Sequence, residues 1–285
     1  MQAEHLPGAK QVRQLLAESG RLNRISDTAT LDCQLLLTRV LGVSRAWLYA
    51  HDDALVQPAE VSQFEHLLGR RLQGEPIAYL TGTQDFWDMS LEVSPATLIP
   101  RPDTETLVNA VLGDFDLAPR CCVDLGTGTG AIALALARSR PAWQVFALER
   151  DPDALAVAAR NLARYAAGGV TLVRGDWTAA LAANSVDIMV ANPPYISADD
   201  LHLQELRFEP GAALVSAENG QRDIRLIATD ALRCLKPGGA LYLEHGWDQQ
   251  EPVAALLTRL GYLDLAVYPD LGGHPRVTRG HKPDE

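Results

Sequence analysis

The stretch with the clearest chemical potential is a short turn that follows an apolar run, Val186–Ala191. The turn consists of Asn192, Pro193, Pro194 and Tyr195. Proline has no N–H and a fixed φ, so the turn presents carbonyl oxygens, one amide side chain and one aromatic face in fixed places. Two oxygen atoms can accept both hydrogens of a planar NH₂ group while the ring packs on its π face. The turn could therefore aim an amide or aromatic amine nitrogen at an electrophile, although a proline-rich strand exit would look the same.

A second turn follows an earlier apolar run, Cys121–Leu125. It consists of Gly126, Thr127, Gly128, Thr129 and Gly130. Glycines at alternate positions let the backbone turn sharply and lie against a ligand. The dinucleotide pattern G-x-G-x-x-G is not met, because Ala131 follows the third glycine. Asp124, just before the turn, would repel a pyrophosphate and attract a cationic ligand.

Further candidate residues stand at the ends of the next two predicted strands. Glu149 lies 19 residues beyond Gly130, where a carboxylate accepts ribose hydroxyls. Asp176 and Trp177 follow the third strand, where they could meet an adenine amine and cover its ring, although a helix cap and a core residue would also explain them. Because parallel strands end at one sheet edge, these residues together with Asn192 predict a nucleoside pocket. A sulfonium nucleoside, S-adenosylmethionine, fits such a pocket.

The elements that must position these residues alternate strand and helix from Arg120 onwards. Strands are predicted at residues 121–125, 144–149, 170–174, 186–191, 240–244, 262–268 and 276–279. Helices are predicted to begin near Ala131, Pro152, Thr178 and Gln221. The last two strands are joined by a short loop, so we expect an α/β, seven-stranded Rossmann-like sheet that is mostly parallel, with one antiparallel strand at the end.

The first part of the chain, residues 1–73, is predicted to be a small helical bundle. Apolar residues recur at helical spacing, and breaks near Gly20, residues 42–44 and Pro58 leave four or five short helices. The bundle would recognise or position a partner, or serve only as a stabilising cap. Residues 74–105 are predicted to form a β-hairpin linker, and residues 106–285 the catalytic domain.

Two smaller groups of polar residues have both a functional and a structural interpretation. Asp103 or Thr104 is a candidate N-cap for the helix that follows. Arg101, Asp103 and Glu105 could line the cleft, although surface capping and a local ion pair would explain them equally well. His245, beside a glutamate at a strand end, could accept a proton, although a structural hydrogen bond is the preferred interpretation.

Composition narrows the class of protein. At 47% hydrophobic and 21% charged residues, the chain is predicted to be a soluble globular protein without a membrane span. Four cysteines without C-x-x-C spacing predict free thiols in a reducing cytoplasm and no metal site. The net charge is −11, of which about −10 falls on residues 81–285, and this disfavours a nucleic-acid substrate.

The chain closely resembles the glutamine methyltransferases of peptide-chain release factors, the PrmC/HemK family. The resemblance rests on GEPIAYLTG at residues 74–82, LIPRPDTE at 98–105, DLGTGTG at 124–130, NPPYI at 192–196, FEP at 208–210 and LEHG at 243–246. The glycine and asparagine-proline turns are shared with many methyltransferases. The segment at 99–105 and the helical first part are more specific to this family.

The resemblance implies methyl transfer from S-adenosylmethionine to the glutamine amide of a release factor's Gly-Gly-Gln loop, with the bundle helping to grip the release factor. It assigns the cofactor to the turn at 126–130 with Glu149, Trp177 and Asn192, and the glutamine to residues 192–195. The family often has aspartate where this chain has Glu149. We expect a monomer that acts on a protein, with no direct contact to nucleic acid or membrane.

The expected mechanism is a direct in-line transfer without a covalent intermediate or a metal. The Asn192 side-chain oxygen and the Pro193 carbonyl would accept the two amide hydrogens, and Tyr195 would pack on the amide plane. The main alternative is an adenine amino-methyltransferase acting on nucleic acid, because the same turn would hold the NH₂ group of a flipped base. Methylation of another protein's glutamine, or a non-catalytic nucleotide-binding role in translation, are further alternatives.

Overall fold

The computed structural model describes residues 8–165 and 169–284, which separate into two compact units. The first unit ends at Thr83 and the second begins at Gln84. Throughout the described residues, no helix combines the length and the apolar composition that crossing a membrane requires.

The first unit is mainly helical. Its elements are β1 (Lys10–Gln11), α1 (Val12–Leu16), a 3-10 helix (Ala17–Leu22), α2 (Ala29–Leu41), α3 (Arg45–Ala50), β2 (Leu55–Val56), α4 (Pro58–Leu72) and α5 (Ile77–Thr81). The helices enclose an apolar core that includes Leu36, Phe64 and Leu68. A buried ion pair between Asp32 and Arg71, 2.8 Å apart, joins α2 to α4.

Local signals fix most helix ends in this unit. Gly42 ends α2 with φ +66°, the Ser44 hydroxyl accepts a hydrogen bond from the N–H of Trp47, and Pro58 is the first residue of α4. The predicted breaks at 42–44 and Pro58 are thus confirmed. The break near Gly20 is wrong, because Gly20 lies inside the 3-10 helix. The antiparallel pairing of β1 with β2 was not predicted.

The hairpin predicted between the two parts is present. Strands β3 (Thr83–Phe86) and β4 (Met89–Glu92) pair with each other, and Trp87 turns the chain between them with φ 58°. Residues 77–81, within the predicted hairpin linker, instead form the helix α5.

The second unit contains the large sheet and its helices. Its elements are a 3-10 helix (Pro102–Thr104), α6 (Glu105–Asp114), β5 (Cys121–Leu125), α7 (Ala131–Ser139), β6 (Gln144–Glu149), α8 (Pro152–Tyr165), β7 (Val170–Arg174), β8 (Val186–Ala191), two 3-10 helices (Leu201–Gln204 and Gly211–Ala213), the short α9 (Ala217–Gly220), α10 (Arg222–Cys234), β9 (Leu235–Glu244), α11 (Gln250–Leu260), β10 (Leu263–Pro269) and β11 (Pro275–His281).

The seven strands lie in the order β10-β11-β9-β8-β5-β6-β7. Strand β11 is antiparallel to both neighbours, whereas β9, β8, β5, β6 and β7 pair in parallel. The mixed α/β sheet is therefore as predicted. Strand β11 inserts between β9 and β10, a position that the prediction did not specify.

Side chains on the sheet alternate between two apolar layers. Ile188 and Val190 of β8 pack in the layer that contains α6 and α7, while Met189 and Ala191 pack with α10 and α11. With helices on both faces, the strand ends remain as the edge where a ligand can bind.

One predicted helix is absent and one strand is longer than expected. No helix begins near Thr178; residues 177–180 form a turn instead, and Arg233 donates hydrogen bonds to the carbonyls of Thr178 and Leu181. Strand β9 begins at Leu235, five residues before the predicted start, and passes through two glycines that read as a break in the sequence.

Candidate active site

A cavity lies at the carboxyl ends of β5, β6, β7 and β8. Nine of the twelve predicted site residues line it. The other three, which the cavity lining does not include, are Gly130, Pro193 and Tyr195. The structure therefore brings the glycine turn, Glu149, Asp176, Trp177 and the asparagine-proline turn to one place, as parallel strands ending at one edge should.

The glycine turn needs its glycines for two physical reasons. Gly126 has φ +72°, and a Cβ atom there would lie 3.1 Å from the ring of Trp177. Gly130 has φ +83°, and its Cβ would lie 3.1 Å from Leu162 of α8. Gly130 thus serves the packing of α7 against α8 rather than the cavity itself.

The buried Asp124 holds this turn in place through hydrogen bonds. Its Oδ2 accepts hydrogen bonds from the Thr127 hydroxyl at 2.5 Å and from the Ala133 N–H at 3.2 Å. The side chain is fully buried and does not line the cavity, and the attraction that it would exert on a cationic ligand stays a prediction. Burial raises the pKa of Asp124 to about 7, because the surroundings disfavour the charged carboxylate.

Asn161 of α8 is a functional support that sequence reasoning missed. Its Nδ2 donates to the carbonyls of Thr129 and Glu92 at 2.9 and 3.0 Å, and its Oδ1 accepts from the Glu92 N–H at 2.7 Å. The side chain is fully buried, so it ties the glycine turn to the hairpin. The sequence signal that could have identified Asn161 is its position as a polar residue on the apolar face of α8, which Ala154 and Val157 form.

Glu149 is held by backbone N–H groups at the mouth of the cavity. One carboxylate oxygen accepts from Gly128 at 3.0 Å, and the other accepts from Arg150 and Asp151 at 2.8 and 3.0 Å. Asp151 in turn caps α8 by accepting from the N–H groups of the first helical turn. A carboxylate has about four acceptor positions, so one remains for a ligand hydroxyl.

Asp176 and Trp177 form the wall opposite the glycine turn. Asp176 is exposed at the cavity lining, while Trp177 is half-buried and packs against the apolar layer of α10 and α11. Trp177 has φ 43°, a left-handed backbone that directs its ring toward Gly126. The indole therefore serves both the core and the cavity.

The asparagine-proline turn is supported from distant parts of the unit. The Asn192 Nδ2 donates to the Thr104 hydroxyl at 3.2 Å, and the Tyr195 carbonyl accepts from the Gln249 Nε2 at 2.9 Å. Gly220 approaches so closely that a Cβ there would lie 2.0 Å from the Tyr195 carbonyl oxygen. Burial raises the pKa of Tyr195, so its hydroxyl stays protonated.

The motif at 99–105 and the one at 208–210 meet at the cavity. The carboxylate of Glu209, almost fully buried, accepts from the Ile99 N–H at 3.0 Å and forms an ion pair with Arg101, which lines the cavity. The sequence contained both motifs but did not show that they meet. Their contact closes one side of the cavity with residues from two separate loops.

Thr104, one of the two predicted caps, occupies the N-cap position of α6, but no side chain makes a capping hydrogen bond there. Neither Asp103 nor Thr104 caps the helix with its side chain. Asp103 pairs with Arg276 at 3.1 Å, and Thr104 instead faces Asn192 and Glu244. Helix entry is secured by Pro102 at the first position of the 3-10 helix.

His245 is buried in structural hydrogen bonds, as the preferred interpretation holds. Its Nε2 lies 2.8 Å from the Thr278 hydroxyl and its Nδ1 lies 2.8 Å from the Gly246 carbonyl. Burial lowers the pKa of His245, because the interior disfavours the imidazolium. It does not line the cavity.

Comparison with known proteins shows the family and the fold of this chain. Two family models match the chain: the PrmC N-terminal domain over residues 10–82 and the Methyltransferase small domain over residues 103–259. A methyltransferase from Pyrococcus furiosus has a similar fold, with a TM-score of 0.55 at 19% identity over 77% of this chain and 99% of that one.

The curated relatives are much closer in sequence. The release factor glutamine methyltransferase of Salmonella typhimurium is 48% identical over 259 residues, which cover 90% of this chain and 94% of that protein. The release factor glutamine methyltransferase of Escherichia coli K12 is 44% identical over 257 residues, or 90% and 93% of the two chains. The chain therefore belongs to the release factor glutamine methyltransferases, a family of S-adenosylmethionine-dependent enzymes.

Proposed function

We propose that this chain methylates the side-chain amide nitrogen of the glutamine in the Gly-Gly-Gln motif of a peptide-chain release factor. The observation that carries the proposal is that Asn192, beside a rigid proline turn, lines the same cavity as the glycine turn and Glu149. An acceptor for an amide thus stands next to a surface that suits a nucleoside.

The residues of the cavity fit S-adenosylmethionine. The turn at 126–130 forms a cradle that a Cβ at Gly126 would crowd, Glu149 keeps an acceptor position for a ribose hydroxyl, and Trp177 offers an aromatic wall. Asp176 stands beside that wall as an acceptor for an adenine amine. S-adenosylmethionine, when bound, supplies an electrophilic methyl group on its sulfonium sulfur.

The chain's own contribution to the transfer is to hold the glutamine amide. The Asn192 side-chain oxygen and the Pro193 carbonyl accept the two N–H bonds. This fixes the plane of the glutamine amide, so that the nitrogen lone pair, which is perpendicular to that plane, points at the electrophile. Pro193 and Pro194 are buried, so the turn is rigid before the substrate arrives. Tyr195, which the cavity lining does not include, packs beside the turn and stays protonated, because burial raises its pKa.

The proposed transfer is direct, and the proton leaves to water afterwards. Glu244, which ends β9, and the following His245 are buried titratable groups, and neither lines the cavity. Catalysis on this proposal comes from orientation and from preorganised acceptors.

We further propose a division of labour along the chain. Residues 1–73 would recognise the release factor, residues 74–105 would act as the linker, and residues 106–285 would carry out catalysis, although residues 1–7, 166–168 and 285 lie outside the described part. The enzyme would act as a cytoplasmic monomer. Four free cysteines and a translation factor as substrate support the compartment.

Methyl transfer from labelled S-adenosylmethionine to purified release factor tests the proposal. We expect mass spectrometry to place the methyl group on the loop glutamine and to find none on a Gly-Gly-Ala variant of the same factor. Duplex and single-stranded DNA serve as parallel substrates. Label on DNA and none on the release factor would contradict the proposal and favour the adenine alternative.

A further inference from the structure

Glu244 is a buried carboxyl group that the proposed mechanism does not use. It ends β9, is 1% exposed and does not line the cavity. Within the described part of the chain, its Oε2 has no hydrogen-bond partner. A buried hydrogen-bond acceptor without a partner lowers the free energy of unfolding. The presence of such an acceptor beside the asparagine-proline turn therefore suggests a functional role.

The sheet places Glu244 directly beside Asn192. Strands β8 and β9 are parallel with Ala191 opposite Leu243, so the next residue of each strand leaves the sheet side by side with the other. The Thr104 hydroxyl and the Asn192 amide both face the Glu244 carboxyl. Thr104 also accepts the hydrogen bond from the Asn192 Nδ2 at 3.2 Å.

This arrangement distinguishes the two ends of the Asn192 amide. A hydroxyl group can donate or accept, so Thr104 alone could bind either end. An ionised carboxylate only accepts, so it favours the NH₂ end and repels the carbonyl oxygen. With Nδ2 held by this pair, Oδ1 is left for the cavity that Asn192 lines.

We propose that Glu244 is a positioning residue that sets the orientation of the Asn192 amide, with Nδ2 toward Glu244 and Thr104 and Oδ1 toward the substrate. The inference rests on the proposed function, in which that oxygen accepts a hydrogen bond from the glutamine amide. Glu244 itself touches neither substrate nor cofactor in this arrangement.

The charge state of Glu244 makes the orientation dependent on pH. Burial raises the pKa of Glu244 to about 7, opposed by Thr104, by Arg276 of β11 and by Asn192, while Asp103 raises it further. The other titratable groups nearby are Tyr195, whose pKa is raised, and His245, whose pKa is lowered. Above pH 7 the carboxylate selects the NH₂ end; below it the protonated carboxyl can donate to Oδ1 and the selection is lost.

The first test compares Glu244→Gln with wild type. We expect kcat to fall about tenfold at pH 8, and the rise of wild-type kcat between about pH 6 and 8 to be lost, while the Kd for S-adenosylmethionine stays within about twofold. Asp187→Asn, a carboxyl-to-amide change at the opposite end of β8 that pairs with Lys236, is the matched control and should keep the wild-type profile. A Glu244→Gln enzyme with wild-type kcat and pH profile would overturn the proposal.

The second test needs no activity and no variant of Glu244. In ¹⁵N spectra of the wild-type protein, the Asn192 side-chain NH₂ signal, assigned by its loss in Asn192→Ala, should shift with a midpoint near pH 7. A signal that stays constant from pH 5.5 to 8.5 would overturn the inference even if methylation of the release factor is observed. A shift at pH 7 without any methylation would instead count against the proposed function alone.

Discussion

The two turns at the cavity, residues 126–130 and residues 192–195, are held in place by different kinds of contact. The glycine turn is held by residues close to it in sequence: Asp124 lies three residues from Thr127, Glu149 lies 21 residues from Gly128, and Asn161 lies 32 residues from Thr129. The asparagine-proline turn is held by residues far away in sequence, 88 residues for Thr104 and 54 for Gln249.

The difference shows how the two halves of the reaction depend on the fold. The proposed surface for the nucleoside is built largely by one stretch of chain, residues 124–161, in which glycines and backbone N–H groups form much of the cradle. Holding an amide in one orientation requires rigid acceptors, and their rigidity comes from packing against α6, α9, β9 and α11. We therefore expect substitutions at the asparagine-proline turn to lower turnover, and substitutions at the glycine turn to alter stability and the affinity for the cofactor.

The largest effect is expected for Asn192→Ala. Loss of one preorganised acceptor should lower kcat about 10²- to 10³-fold, or roughly 3–4 kcal/mol in the transition state, whereas the affinity for S-adenosylmethionine should fall much less. Single-turnover methyl transfer and calorimetry measure the two quantities. Asn109→Ala, at an exposed position of α6, should behave as wild type. If Asn192→Ala kept full turnover, the asparagine-proline turn would serve only to end β8 and would not hold the substrate amide.

Gly220→Ala should have the next largest effect without touching the cavity. The added Cβ would lie 2.0 Å from the Tyr195 carbonyl oxygen, so the turn must move, and a displacement of about 1 Å can cost about a hundredfold in rate. The strain should also lower the free energy of unfolding by about 2–3 kcal/mol.

Gly261→Ala is the matched control for this change, and urea unfolding with the methyl-transfer assay measures both variants. Gly261 has a similar φ of +90° but no atom within 4 Å of a new Cβ. It should lose about 1 kcal/mol of stability through backbone strain and keep wild-type turnover. Equal turnover in the two variants would show that the approach of Gly220 does not position the second turn.

Asp124→Asn tests the glycine turn and should change stability more than turnover. Burial raises the pKa of Asp124 from 3.8 to about 7, so the folded state holds a proton that the unfolded state has released. Ionisation therefore costs wild-type stability as pH rises from about 4 through 7, and the asparagine variant avoids this cost. Relative to wild type, the variant should gain about 2 kcal/mol between pH 5 and pH 8.

Urea unfolding at the two pH values measures this gain. The exposed Asp116→Asn provides the control, since its carboxylate only accepts from the Ala118 N–H and pairs with Arg120 at the surface. A pH-independent difference for Asp124→Asn would show that the carboxyl is already charged when buried, and that it holds the turn as a carboxylate.

The contrast between the turns also explains what the sequence could predict. Six of the seven strands lie within about two residues of their predicted bounds, and the glycine turn, Glu149 and Asn192 were found, because each depends on local patterns at a strand end. The family and its enzyme class were likewise readable from motifs, and the comparisons confirm them.

The residues that hold the asparagine-proline turn could not be predicted from the sequence, because their contacts join distant parts of the chain. Gly220 and Gln249 carry no local signal of a contact with Tyr195, and Thr104 looked like a helix cap because its role depends on Asn192, 88 residues away. Asp124 is a related case: its burial depends on the packing of α7, which the motif does not show.

The smallest effect is expected for Gly126→Ala, a substitution in the glycine turn that lines the cavity. Its φ of +72° adds about 1 kcal/mol of strain, and the new Cβ at 3.1 Å pushes the Trp177 ring, which can give way by a few tenths of an ångström. We expect the Kd for S-adenosylmethionine to rise about tenfold with kcat at saturation nearly unchanged, as measured by calorimetry and initial rates. Gly42→Ala, with a φ of +66° and open space in the first unit, should show the strain without the change in Kd. If Gly126→Ala instead lowered kcat and left Kd intact, the two turns would not divide cofactor binding from amide orientation, and the contrast between them would fail.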